Sequence, residues 1–162
     1  MRAVRKIFLF LLTCTALLFV AGCTDPNAII DQNTPIENHN WSYANKIRYA
    51  IKIDDASIPY NLYINLRVTG DYRYSNIFVL LRRNGPKLKA LTRFEISLAD
   101  KDGEWYGEGS GNLYSYQVPL ITNFKFPAKG SYEFEIEQNM RDNPLHEVND
   151  VGIRVEKALQ TH

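Results

Sequence analysis

Eighteen acidic side chains, three histidines and two cysteines are what this 162-residue chain has for acid–base, metal or nucleophilic chemistry. His39, His146 and His162 stand far apart, and none has a partner at the short spacings that put two imidazoles on one metal. Asp100, Asp102 and Glu104 in the run DKDGE begin like a calcium loop. The glycine comes too early, however, and Gly111 occupies the twelfth position, where a bidentate carboxylate belongs, so a polar hairpin turn is the better reading. Gly107, Gly109 and Gly111 are spaced like a dinucleotide loop without a strand–loop–helix unit around them, and are expected to permit a bulge or a close strand crossing. Any two acids can meet across a sheet as a glycosidase pair, but no spacing selects one. No metal, no cofactor and no catalytic set is expected, and the chain reads as a non-enzyme.

Cys23 has the most specific chemistry. Arg2, Arg5 and Lys6 precede an apolar run from Ile7 to Val20, broken only by Thr13, Cys14 and Thr15, and the run ends in Val20-Ala21-Gly22-Cys23. Fourteen helical residues cover about 21 Å, short of a bilayer core, so the run is an export signal and not a span. Its end resembles the lipobox of bacterial lipoproteins: small residues admit the peptidase, and the Cys23 thiol takes a diacylglyceryl group. Residues 1–22 would then be removed. By the same resemblance Cys23 would carry two or three acyl chains, and more than one makes anchoring stable. Cys14 leaves with the signal, so the mature chain has no disulfide to form. Removing Arg2, Arg5 and Lys6 leaves sixteen basic against eighteen acidic residues, about 2 units negative, which argues against nucleic acid as a partner.

The elements that must hold any site follow from hydropathy. Residues 23–40 carry prolines, asparagines and acids without sustained period, and are expected as lipid anchor and flexible tether, reaching roughly 20 to 25 Å. Beyond Trp41 a period of two takes over. Ile47, Tyr49, Ile51 and Ile53 form one buried row and Leu62, Ile64, Leu66 and Val68 another, expected as neighbouring antiparallel strands joined by the turn at Asp54–Pro59. Ile77–Leu81 (IFVLL) is apolar without alternation, as in a strand covered on both faces or mid-sandwich under a loop. Further rows run through Phe94–Leu98, Val118–Phe126, Tyr132–Ile136 and Val151–Val155. The fold class expected is all-β, an antiparallel β-sandwich of immunoglobulin-like or jelly-roll type with seven or eight strands over residues 41–157, followed by a tail at 158–162. Gln138–Glu147 is the one place for a short helical turn, limited by Pro144.

Three segments carry a family resemblance: Tyr60–Arg67 (YNLYINLR) with Asp71–Ile77; Leu98–Gly103 with Trp105 and Gly107; and Phe134–Gln138 with Met140-Arg141, then Asp150–Lys157 (DVGIRVEK). Together with the lipidated cysteine they resemble the GldH gliding-motility lipoproteins over about residues 41–157. The resemblance implies a lipid-anchored accessory of the gliding machinery beside the type IX secretion apparatus, with no enzyme activity and no established ligand. Its partners would be the membrane, through the lipid, and other envelope or motility proteins. Thr24 after the cysteine is not an acid, so by resemblance to lipoprotein sorting rules the outer membrane is favoured. Ten tyrosines supply large contact area with a polar handle. Tyr63, Tyr72, Tyr74, Asn76, Met140 and Arg141, within or beside the family-like segments, are the interaction candidates. A glycan-binding surface lipoprotein, stacking sugars on exposed Tyr and Trp, is the alternative.

Overall fold

A computed structural model describes residues 25–158. The expected signal segment, Cys23 as the expected lipidation site, and residues 159–162 of the tail lie outside the described residues. The strands are β1 (Ala28–Pro35), β2 (Asn40–Trp41), β3 (Ile47–Ile53), β4 (Tyr60–Thr69), β5 (Asn76–Gly85), β6 (Leu88–Ser97), β7 (Glu108–Ser110), β8 (Leu113–Phe124), β9 (Gly130–Gln138), β10 (Leu145–His146) and β11 (Val148–Lys157). They form a front sheet in the order β1-β11-β4-β8-β7, a back sheet β3-β9-β5-β6, and a small β2–β10 pair, with every pairing antiparallel. This is the expected sandwich. Its eleven strands exceed seven or eight because β2, β7 and β10 are two or three residues long and β1 lies in the presumed tether.

Alternation builds the core. Leu62, Ile64, Leu66 and Val68 of β4 and Val151, Ile153 and Val155 of β11 point inward from the front sheet, all fully buried. They meet Ile51 and Ile53 of β3, Ile77, Val79 and Leu81 of β5, and Tyr132, Phe134 and Ile136 of β9. Each such side chain contributes about 1.5–3 kcal/mol by leaving water.

Three expectations change. The tether is strand from Ala28: β1 pairs with β11 from Ala28↔Glu156 to Pro35↔Asp150. As an edge strand whose outward residues are polar, β1 shows no apolar period to read. β3 and β4 are not neighbours. The Asp54–Pro59 connection crosses between sheets, β3 pairing with β9 and β4 lying between β11 and β8. Turn chemistry looks alike for a hairpin and for a crossing. No helical turn forms at 138–147, because the fully buried Gln138 side chain takes over the loop's backbone groups: Oε1 accepts from the Met140 N–H (2.8 Å) and Nε2 donates to the Asp142 carbonyl (3.0 Å). Ile77–Leu81 does lie mid-sheet, with the Arg93 guanidinium 3.8 Å from the Phe78 ring and the Phe78 N–H donating to Met140 Sδ (3.2 Å).

Two charged groups make testable contributions. Arg83 points inward from β5, 8 % exposed; Nη2 donates to Thr92 Oγ1 (3.1 Å) and the guanidinium sits 5.3 Å from the Phe124 ring. Its Nε has no partner among the described residues, and burial lowers its affinity for a proton. An unsatisfied buried donor is costly, so Arg83→Met is expected to raise the urea midpoint, by about 1 kcal/mol in stability. A lower midpoint would mean that the cation stabilises the fold.

On the back sheet's outer face, Glu135 meets Arg48 (2.7 Å), Arg82 (3.3 Å) and Lys46 (3.4 Å). Burial pushes this carboxyl up, but the three cations outweigh it and hold it below the usual 4.5. A depressed carboxyl stabilises the fold above its unfolded pKa, and the benefit is lost as pH falls through the lower folded value. The stability gap between wild type and Glu135→Gln at pH 7 is therefore expected to narrow below about pH 4.5 in unfolding titrations. A gap independent of pH would refute that role.

Candidate functional site

The residues that point outward from β4, opposite the core row, are Tyr63, Asn65 and Arg67. Register puts Asn33, Gly152, Asn65 and Gln117 in one row across β1, β11, β4 and β8. Asn65 Nδ2 donates to Asp31 Oδ1 (2.7 Å) and Asn33 Oδ1 (3.0 Å), and Asn65 Oδ1 accepts from Gln117 Nε2 (2.9 Å). The first two bonds pass over β11 at Gly152, where an added Cβ would lie 2.2 Å from both Asn33 Oδ1 and the Gln32 carbonyl oxygen. Only glycine lets the amides of β1 and β4 meet there.

The network continues both ways. Asn33 Nδ2 donates to Asp150 Oδ1 (3.1 Å), while Asp150 Oδ2 accepts from Arg67 (2.5 Å) and Asn149 (2.7 Å). Asp150 is 1 % exposed, so this pairing carries the burial of a carboxylate. Towards the other end Arg154 gathers Asp31 (2.8 Å), Glu156 (2.6 Å) and Asp25, and the Tyr63 hydroxyl donates to Glu156 (2.9 Å). The hydrogen bonds that Arg154 donates to Asp31 and Glu156 raise it above the ordinary arginine value; burial, then Glu156, raises Tyr63.

The result is a trough of about 890 Å³ on the front sheet. Asn65, Arg67, Ser115 and Gln117 line its floor, Asp31 and Asn33 stand at the β1 side, and Tyr106, 63 % exposed, flanks it near Glu108. Tyr106 reaches this rim through the turn expected at DKDGE, where Asp100 Oδ1 accepts from the Asp102 and Glu104 N–H groups and Ala99 bridges to Trp105. The close crossing expected at the glycine run is present at Gly107, where a Cβ would lie 2.6 Å from the Tyr116 ring. That ring's hydroxyl donates to the Leu98 carbonyl (2.9 Å), and burial pushes it up to about 12.

Chemically, the trough offers fixed donors and acceptors. Of the carboxylates that line it, Asp31 is held by Arg154 and Glu108 is exposed at the rim, while buried Asp150, bonded to Asn33, is held by Arg67. A general acid near neutral pH needs the opposite setting, burial away from cations. Among the described residues no three His, Cys, Asp or Glu converge on a metal site, and no helix is long and apolar enough to cross a membrane.

Of the six residues singled out from sequence, Tyr63 lies on this face. Tyr72, Tyr74, Asn76 and Met140 gather instead at one end of the sandwich, and exposed Arg141 lies in the same loop as Met140. Tyr72, 4 % exposed, donates to the Asn76 carbonyl (3.2 Å) and meets the Tyr74 ring edge-on at 5.8 Å. Burial pushes the Tyr72 phenol up, and a 2.5 Å bond to Asp142 raises Tyr74. Met140 Sδ accepts from the Phe78 N–H (3.2 Å), and Asn76 Nδ2 donates to Glu95 (2.7 Å). The trough residues Asp31, Asn33, Asn65 and Gln117 are not among those six. The available signal was asparagine at an outward strand position, since strands disfavour asparagine unless its amide has partners.

A sequence profile described as GldH lipoprotein matches residues 28–155. A protein of Christiangramia forsetii named gliding motility lipoprotein GldH homolog is 30% identical, over 98% of this chain and 99% of its own. The gliding motility lipoprotein GldH of Flavobacterium johnsoniae is 26% identical over 91% of this chain and 94% of its own. No solved structure matches the chain. The profile begins at the first residue of β1 and ends two residues short of the end of β11, so the similarity spans both sheets of the sandwich, and the chain belongs to the GldH lipoprotein family.

Proposed function

We propose that this chain is a lipid-anchored, non-enzymatic envelope protein of the gliding-motility and type IX secretion machinery. It is held to the outer membrane through Cys23 and presents the front-sheet trough to another envelope protein. The observation that carries the reading is the family match through residues 28–155, with a lipobox-like Val20-Ala21-Gly22-Cys23 ahead of it. Recognition is favoured over catalysis because Asp31 and Asp150 are each paired with an arginine, Glu108 is exposed to solvent, and the floor amides are already oriented.

The test is crosslinking and pull-down from intact cells, with mass spectrometry, comparing wild type, Cys23→Ala and a rim variant, Tyr106→Ala with Glu108→Lys. The rim side chains are exposed, so that variant is expected to fold. Motility or secretion components recovered with wild type and lost from both variants are the expected result. Recovery undiminished in the rim variant would remove the trough from the interface. Exposed Tyr106 beside a floor of amides also suits a sugar ring, and glycan recovered without protein would favour that reading.

A further inference from the structure

The way the chain enters the sandwich fixes which end faces the lipid. Asp25 is the second residue after Cys23, and two residues of chain span at most about 7 Å. Asp25 is tied down: its carboxylate is held by Arg154 and accepts from the Asn27 N–H (2.9 Å), and the Asn27 carbonyl accepts from the Lys157 N–H (3.0 Å). A sandwich attached through Cys23 therefore has almost no slack and rests with the Ala28 end of β1 against the membrane.

Register identifies what else is at that end. Ala28 lies beside Glu156, Lys157 beside Tyr60, and Tyr60 beside Phe124. The connections 54–59 and 125–129 carry the chain from there to Ile53 and Gly130 of the back sheet, which pair with each other. The β5–β6 turn is at the same end, since a Cβ on Gly130 would lie 2.8 Å from Pro86 and the Tyr132 hydroxyl donates to the Pro86 carbonyl. Six exposed lysines thus share one end of the molecule: Lys52, Lys87, Lys89, Lys125, Lys129 and Lys157. The acids at this end are Asp25, Asp54, Asp55, Glu133 and Glu156, of which Asp54 is paired with Lys52 (2.9 Å) and Asp25 and Glu156 with Arg154, so the lysines and Arg154 leave this end with an excess of positive charge. The opposite end has the reverse balance, with Glu37, Asp71, Asp102, Glu104 and Glu108 exposed against Arg73, Lys101 and Arg141.

We infer that the Lys52, Lys87, Lys89, Lys125, Lys129 and Lys157 end is a basic collar that docks on anionic lipid headgroups, setting the orientation of the anchored sandwich and turning its acidic end away from the membrane. The inference rests on the lipid-anchor reading. Lysines within a Debye length of an anionic surface are attracted to it, whereas a charge at the far end of the domain is screened. The trough then stands edge-on to the membrane, since it runs across strands that rise from it.

The experiment uses the lipidated full-length protein with vesicles of phosphatidylcholine alone or with about a third phosphatidylglycerol. Flotation reports anchoring, and lysine acetylation rates, read by mass spectrometry, report contact. Flotation with both is expected, with the collar lysines acetylated about fivefold more slowly on the anionic vesicles, Lys101 unchanged, and the protection abolished by 0.5 M salt. The Lys87→Gln, Lys89→Gln, Lys125→Gln, Lys129→Gln variant should float equally but return Lys52 and Lys157 to their rates on phosphatidylcholine. Flotation with equal rates on both compositions overturns the collar and leaves the anchor standing. Failure to float overturns the anchor reading and the collar with it.

Discussion

Trp41→Ala is expected to cost about 3–5 kcal/mol of unfolding free energy, enough to lower the melting temperature by roughly 10 °C or more. The indole is fully buried, and its Nε1 donates to the Asn45 carbonyl (2.8 Å). Two further elements depend on its position. Leu145 of β10 pairs with it, and its carbonyl lies 3.4 Å from Gln138 Nε2, the side chain that satisfies the loop at 139–142. Truncation therefore leaves a cavity and loosens the loop that bonds the Phe78 backbone through Asn139 and Met140. Urea unfolding of the purified protein gives the magnitude, and a loss under about 1 kcal/mol would mean that the site collapses freely around alanine.

Gly152→Ala tests the front sheet in the opposite sense, by adding atoms. The new Cβ would sit 2.2 Å from the Gln32 carbonyl oxygen, which is backbone and has no rotamer by which to move aside. β1 must therefore shift away from β11, and the expected loss is about 2–3 kcal/mol, at the upper end for overpacking. Hydrogen exchange should localise it, with β1 amides losing protection while those of β4 keep theirs. Asn33→Ala removes the side-chain half of the clash but not the backbone half, so the double variant is expected to stay destabilised. Full rescue would show that only Asn33 Oδ1 was in the way. The same shift separates Asp31 and Asn33 from Asn65, so Gly152→Ala should also impair any binding through the trough.

Much was legible in the chain because burial writes itself as period two. The rows Ile47–Ile53, Leu62–Val68, Tyr132–Ile136 and Val151–Val155 are core-facing as read. The DKDGE turn followed from acids that cap their own backbone. β1 was invisible for the same reason the others were visible. An edge strand with Asp31 and Asn33 directed into a polar network has no apolar alternation, and its hydrogen-bond partner is at the far end of the chain.

Local chemistry along the chain determined the strand-rich class, the lipobox-like cysteine and the family segments, since each needs only residues that are near one another in sequence. Sheet order and register decided the rest. Gly152 is one more small residue until β11 is threaded between β1 and β4, and Asn65 is an unremarkable polar position until Asn33 and Gln117 are brought alongside it. Likewise, lysines scattered from 52 to 157 become a collar only when two inter-sheet connections and one hairpin turn return to the same end. Charge and hydrogen-bond geometry are set by distance in space, and in an antiparallel sandwich the strands that meet are mostly far apart in the chain.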